Sequence, residues 1–218
     1  MDADFPFDLV GFDLDGTLVD SAADLASAVN HALGVAGRSP VPVDRVRRMI
    51  GGGARLMLER ALQATGGDER LDELLPVLLD FYDAHIAVTT QPFPGVIDAL
   101  DDLAARGVRL AVATNKREHY TNKLLHHLGL TDRFAAVVCG DTIPGKTKPD
   151  PAMIEEMVRR AGGGRAAFVG DSIYDVHAAQ AAGLPVALYA PANHLGADAS
   201  FADFAELVPA LALLNRAR

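Results

Sequence analysis

Cysteine is nearly missing from this sequence of 218 residues, in which Cys139 stands alone. An internal disulfide is therefore excluded, and so is any metal site built on several thiolates. A lone thiol suits a reducing compartment, where it packs as a small hydrophobe. Positive charge is also short. Twenty Lys and Arg against 29 Asp and Glu leave a formal net charge of −9, a poor basis for nucleic-acid binding, which draws its affinity from neutralising phosphates. The first basic residue is Arg38, so no positively charged secretory leader is expected. The most apolar late stretch, Leu207 to Leu214, contains Pro209 and is far shorter than the ~20 residues of a membrane-spanning helix. The histidines are scattered without metal-ligand spacing, and His126 and His127 read as surface residues. Repeats and low-complexity tracts are absent as well. Together these absences predict a cytoplasmic protein that partners neither nucleic acid nor membrane.

What is present is ordinary globular material. Half the residues are hydrophobic and 22% are charged, which excludes a disordered chain or a collagen-like fibre. At about 150 residues per domain, the length suits one large domain or a core with a smaller insert. Short apolar runs at Leu9 to Phe12, Val108 to Ala113, Ala135 to Cys139, Ala166 to Val169 and Pro185 to Tyr189 keep no clean period of two. They predict strands covered on both faces, as in a parallel sheet. Helical stripes lie between them: Val96, Leu100, Leu103 and Ala104, then Tyr120, Leu124 and Leu128, then Met153, Met157 and Ala161. Gly107, Gly129, Gly162 and Gly183 follow these and similar stretches, where a left-handed C-cap belongs. Strands alternating with helices predict an α/β fold with right-handed crossovers.

From about Asp20 to Pro92 the rhythm breaks into helix after helix: Ser21 to Leu33, Val43 to Ile50, Ala54 to Ala64 and Asp68 to Val88. Ser21 reads as an N-cap with Asp24 three residues on. Gln91-Pro92-Phe93-Pro94-Gly95 reads as a stiff return linker. The expected division is an α/β core of residues 1–19 and 93–218 and an inserted helical lid of residues 20–92, entered and left through adjacent hinges.

Open α/β sheets bind ligands beyond the carboxyl ends of their strands, and those ends are informative here. The first runs into Asp13-Leu14-Asp15-Gly16-Thr17-Leu18 and the second ends at Thr114-Asn115. A later loop carries Lys146-Thr147-Lys148-Pro149-Asp150-Pro151, and another strand ends in Gly170-Asp171-Ser172, with Asp175 four residues beyond Asp171. So many carboxylates would repel one another unless a cation sat among them. Hard oxygen donors without clustered His or Cys favour Mg²⁺. Lys148 and the Thr114 hydroxyl suit a phosphoryl group beside a carboxylate nucleophile. In a regular strand Asp13 and Asp15 share a face, and Gly16 lets the chain turn immediately afterwards.

The hexapeptide Asp13 to Leu18, with Thr114, Lys148 and the Asp171/Asp175 pair in that order, resembles the four motifs of the haloacid dehalogenase superfamily. Asp20 to Leu25 and Ile50 to Arg55 are most similar to its phosphoglycolate phosphatase subfamily. The resemblance implies a doubly wound, mainly parallel sheet with an inserted α-helical cap of the C1 type. It implies a Mg²⁺-dependent phosphomonoester hydrolase acting on a small phosphorylated metabolite, 2-phosphoglycolate first. Asp13 would attack phosphorus and form an aspartyl phosphate. Asp15 would protonate the leaving alkoxide and then take a proton from the hydrolytic water. Thr114, Asn115 and Lys148 would hold the substrate, Lys148 also keeping Asp13 ionised. The metal would sit on the Asp13 side chain, the Asp15 backbone carbonyl and Asp171, with Asp175 supporting it directly or through water.

Several readings stay open. Lys146 is an alternative to Lys148 if its loop bends differently. Arg55 either grips a substrate carboxylate with two parallel hydrogen bonds or is solvated on a helix face. Gly51-Gly52-Gly53 is either a mobile specificity loop or a helix break, and it follows no strand as a dinucleotide fingerprint would. Ile173 and Tyr174 stand where subfamily members usually carry polar residues. Other superfamily activities, a sugar-phosphate phosphatase or a phosphomutase, compete with the hydrolase. A signalling receiver module, which also combines Asp, Thr, Lys and Mg²⁺, lacks a counterpart to Asp15 and the cap.

Overall fold

Each of the five expected apolar runs contains a strand of one sheet. The computed structural model describes residues 5–67, 70–189 and 195–214. Its strands are β1 (Leu9–Phe12), β2 (Val19–Asp20), β3 (Gln91–Pro92), β4 (Arg109–Ala113), β5 (Ala136–Val138), β6 (Ala166–Gly170), β7 (Val186–Tyr189) and β8 (Ala199–Phe201). The helices are α1 (Ala22–Val35), α2 (Val43–Arg47), α3 (Gly53–Gln63), α4 (Leu71–Ala84), α5 (Val96–Ala105), α6 (Glu118–His127), α7 (Ala152–Arg160), α8 (Ile173–Ala181) and α9 (Leu207–Leu214).

Six strands form a parallel sheet in the order β5-β4-β1-β6-β7-β8. Alternate residues feed two apolar layers. Val10, Phe12, Val112 and Val169 belong to one, while Leu9, Ala111, Ala113 and Phe168 belong to the other with Met153 and Met157 of α7. Burial on both faces is why the strands read as continuous apolar runs. The register also sets the site: Phe12 lies opposite both Val112 and Val169. The residues that follow, Asp13, Thr114 and Asp171, therefore leave the same edge of the sheet.

The stretch between β2 and β3 is a helical block in which α1 packs against α2, α3 and α4. Its two connections pair as an antiparallel ribbon, Val19 opposite Pro92 and Asp20 opposite Gln91. From sequence only the return side, Gln91 to Gly95, reads as a linker, because two residues per strand carry no periodicity. Ser21 is the N-cap residue of α1, as expected, but its side chain makes no cap bond, and Asp24 turns elsewhere. Asp24 accepts hydrogen bonds from the amides and hydroxyls of Thr89 and Thr90. α4 ends at Ala84, short of Val88, and Ala87 takes a φ of +59° through which no helix continues. The expected start of that helix, Asp68, lies outside the described residues. α2 likewise stops at Arg47, the chain tightening into a turn in which Met49 N–H donates to the Val46 carbonyl.

The edge strand β8 was not anticipated, since Ala-Ser-Phe offers one large apolar residue. It is anchored by Asp198, which accepts the Val186 amide at 2.9 Å. Ala104 is exposed, while Ala99 replaces it in the buried stripe of α5. The four expected C-cap glycines all have positive φ. His126 and His127 are exposed. Among the described residues no helix is long and apolar enough to cross a membrane; α9 has Pro209 in its first turn, where the missing N–H is harmless.

Candidate active site

The carboxyl edge of β1 carries Asp13, which extends the ladder by donating its amide to the Val169 carbonyl at 2.9 Å. Thr114 does the same to Val138 from the end of β4. Both side chains are buried. Lys148 is buried beside them, its Nζ 2.9 Å from Asp13 Oδ1 and 2.6 Å from Asp175 Oδ1. A third bond from Nζ reaches the Ala113 carbonyl at 2.8 Å. All three ammonium donors are thus matched, the condition under which a buried cation is tolerated. Lys146 is half exposed and pairs with Asp150 at 2.6 Å, so the reaching lysine is Lys148.

Asn115 was expected to bind substrate, but its side chain is committed to backbone. Its Oδ1 accepts the Lys148 amide at 2.8 Å, and its Nδ2 donates to the Lys148 and Gly51 carbonyls at 3.0 and 2.9 Å. Asn115 therefore positions Lys148 and ties the core to the loop before α3.

Asp171 faces Asp13 across the turn at Gly16, and Thr17 Oγ1 donates to its Oδ1 at 2.9 Å. Gly16 has φ +91°, and a Cβ there would stand 2.5 Å from Asp171 Oδ2. Only glycine permits both the turn and the approach. A Cβ on Gly170 would overlap the Asp175 carboxylate. Asp175 caps α8: its Oδ2 accepts the Ser172 amide at 3.0 Å and the Ser172 hydroxyl at 2.6 Å. With Oδ1 on Lys148, both oxygens of Asp175 already have donors.

Oxygens of Asp13, Asp171 and Asp175 lie within 4.8 Å of one another. Burial pushes the Asp13 carboxyl up to about 6, with Lys148 opposing and Asp175 adding to the shift. Burial, then Asp175 and Asp13, raise Asp171 well above the usual carboxylate range. Crowded buried carboxylates of this kind fit a hard divalent cation, whose charge would relieve their repulsion.

Asp15 points the other way, into contacts that sequence reasoning missed. Lys116 Nζ lies 2.8 and 3.0 Å from its two carboxylate oxygens, and Ser21 Oγ donates to Oδ1 at 2.7 Å. The Lys116 side chain is only 6% exposed, and its ammonium stands 4.6 Å from the centre of the Tyr82 ring. Burial alone would lower the Lys116 pKa, but Asp15 outweighs it and the net shift is upward. The signal available was position: Lys116 directly follows Thr114-Asn115 at a strand end.

These groups open into a cavity of about 310 Å³ between sheet edge and helical block, with Asp13, Asp15 and Thr114 on one wall and Leu25, Met57 and Leu78 on the other. Arg55 lines it too, but its side chain is 58% exposed and its Nη2 sits 2.5 Å from Asp72 Oδ1. Tyr174, one of the unusual apolar positions, accepts a 2.8 Å bond from Arg60 of α3 and so joins core to helical block.

The model of the family described as haloacid dehalogenase-like hydrolase matches residues 10–189. The chain belongs to that family. It is 43% identical over 211 residues to the phosphoglycolate phosphatase of Agrobacterium fabrum, covering 92% of this chain and 90% of that protein. With the phosphoglycolate phosphatase of Caulobacter vibrioides it shares 39% identity over 209 residues, 91% and 88% of the two chains. The structure of a predicted phosphoglycolate phosphatase from Haemophilus somnus 129PT matches with a TM-score of 0.84 at 29% identity, covering 94% of this chain and 97% of that one. This haloacid dehalogenase-like hydrolase is accordingly a phosphatase. Asp13, Asp15 and Thr114 line one cavity at the sheet edge, with Lys148 from the loop after β5 and Asp171 from the end of β6 beside Asp13.

Proposed function

We propose that the enzyme hydrolyses 2-phosphoglycolate to glycolate and inorganic phosphate through a phosphorylated Asp13. The observation that carries this reading is the buried Asp13 carboxylate, held 2.9 Å from Lys148 at the wall of a cavity that also presents Asp15 and Thr114. An Asp13 oxygen attacks phosphorus while the bond from phosphorus to the ester oxygen breaks. Asp15 delivers a proton to the departing glycolate oxygen, then takes one from the water that attacks the aspartyl phosphate. Lys148 and the Thr114 hydroxyl stabilise the transferring oxygens. Asp175 and Asn115 position Lys148.

Asp13, Asp171 and the Asp15 backbone carbonyl would hold Mg²⁺, with Asp175 supporting through Lys148 and the α8 turn. Bound there, the ion supplies charge neutralisation for the phosphoryl group. Residues 20–92 act as a cap over the core of residues 1–19 and 93–218, closing about the β2–β3 ribbon to exclude bulk water. Arg55 stands at the mouth of the closed site. A cytoplasmic location belongs to the same reading.

Phosphate release from a panel of small phosphomonoesters, with Mg²⁺ and with chelator, tests this. The reading expects Mg²⁺-dependent turnover with 2-phosphoglycolate preferred. Similar rates on many sugar phosphates would discard the substrate. Isomerisation without phosphate release would make the enzyme a mutase, and a stable phospho-Asp13 without turnover would make it a receiver.

A further inference from the structure

The cavity holds one buried cation that the reaction above does not use. Lys148 is surrounded by Asp13, Asp175 and a carbonyl, and Arg55 lies in solvent on Asp72. Lys116 is buried at the cavity wall, where it bonds the carboxylate of Asp15 and lies against Tyr82. An ammonium has three N–H donors; the two Asp15 oxygens take two of them, and the third has the neighbouring Tyr82 within its reach. Beside it stands a second unused group. Tyr82 is 3% exposed, lines the same cavity, and its hydroxyl has no hydrogen-bond partner. A buried hydroxyl left unpaired costs stability unless a ligand completes it. The hydroxyl lies close enough to feel the charges of both Lys116 and Asp15, and burial pushes its pKa up, so it remains a donor.

We propose that Lys116 and the Tyr82 hydroxyl form the subsite for the substrate's carboxylate, selecting small phosphomonoesters that carry a carboxylate next to the ester-bearing carbon. The inference rests on the phosphatase reading and deepens it. Connectivity is the reason for choosing Lys116. In 2-phosphoglycolate one methylene separates the carboxylate from the ester oxygen, so its recognition group must adjoin the residue that protonates that oxygen. Lys116 Nζ is 2.8 Å from Asp15 and meets this demand. Arg55, exposed and paired with Asp72, is drawn away from it. An apolar wall of Leu25, Met57 and Leu78 offers no competing site for an anion.

The test compares kcat/KM for 2-phosphoglycolate with kcat/KM for 2-hydroxyethyl phosphate, in which a neutral CH₂OH replaces the carboxylate. Any effect of Lys116 on Asp15 touches both substrates, so the ratio isolates recognition of the carboxylate. The wild-type enzyme should favour 2-phosphoglycolate. Lys116→Met should cut that preference at least tenfold, and Tyr82→Phe severalfold, mainly through KM for 2-phosphoglycolate. If Lys116→Met does not fold, as circular dichroism would show, Tyr82→Phe decides alone, since it removes only an unpartnered hydroxyl. A preference retained in the variants, or a collapse confined to Arg55→Met, overturns the inference. A wild-type enzyme that hydrolyses neither ester contradicts the phosphatase reading itself, which is a different result.

Discussion

The ammonium of Lys148 stands 2.9 Å from the carboxylate of Asp13, with both side chains sealed from solvent. The pair joins the end of β1 to a loop far along the chain, and Asp175 closes it from the other side at 2.6 Å. What holds the nucleophile ionised also holds three segments of the core together.

Replacing Lys148 by Met should therefore damage stability and catalysis at once. Removing one member of a buried ion pair costs about 3–5 kcal/mol, and two carboxylates would be left facing each other. Chemical denaturation should show a loss of that size, and phosphate release should fall by about a thousandfold or more. Lys146→Met should alter neither beyond the small effect of an exposed pair, about 0–1 kcal/mol.

Asp24 supports a prediction about pH. Burial raises its pKa, but the hydroxyls and amides of Thr89 and Thr90 outweigh that, and the net shift is downward from the ordinary value of 3.8. A lowered folded-state value means that the stabilisation is fully present above about pH 3.8 and is lost as pH falls through the folded value. Asp24→Ala should cost about 3 kcal/mol at neutral pH, because four donors lose a charged acceptor. Thermal melts of both proteins should show a constant gap near neutrality that narrows below about pH 3.8.

Thr17 should govern the metal without touching it. Its hydroxyl orients Asp171 at 2.9 Å, and loss of such an outer partner typically weakens metal affinity about 10–100-fold. Thr17→Val should raise the Mg²⁺ concentration for half-maximal activity about tenfold while leaving the rate at saturating Mg²⁺ much closer to wild type. Asp171→Asn should not be rescued by added Mg²⁺.

Much of this architecture was legible because buried parallel strands leave a plain trace. Leu9 to Phe12 and Ala166 to Val169 are apolar on both faces, and the polar residues that end them are the ones the register gathers at one edge. Asp13, Thr114, Lys148 and Asp171 lie where the strand-end reading put them. The bonds of Asn115 to the Lys148 backbone were not legible, because they depend on where that backbone passes, which adjacency in sequence does not reveal. Ser21 does stand at the N-cap of α1, yet its hydroxyl turns to Asp15 because the β2–β3 ribbon brings α1 against the first motif. Lys116 was overlooked for a related reason: its partners, Asp15 and the Tyr82 ring, come from the first strand end and from α4. Asp24 looked like a capping partner of Ser21, whereas its four donors lie some 65 residues downstream.

The central claim is that Asp13 itself carries the phosphoryl group. Acid-quenched enzyme caught during turnover of 2-phosphoglycolate with Mg²⁺, digested and analysed by mass spectrometry, tests it most directly. The account predicts one added phosphoryl group on the peptide containing Asp13, removed by hydroxylamine and absent in Asp13→Asn. Rapid phosphate release with no label on that peptide at any time point would contradict it, and would mean that water attacks the ester directly.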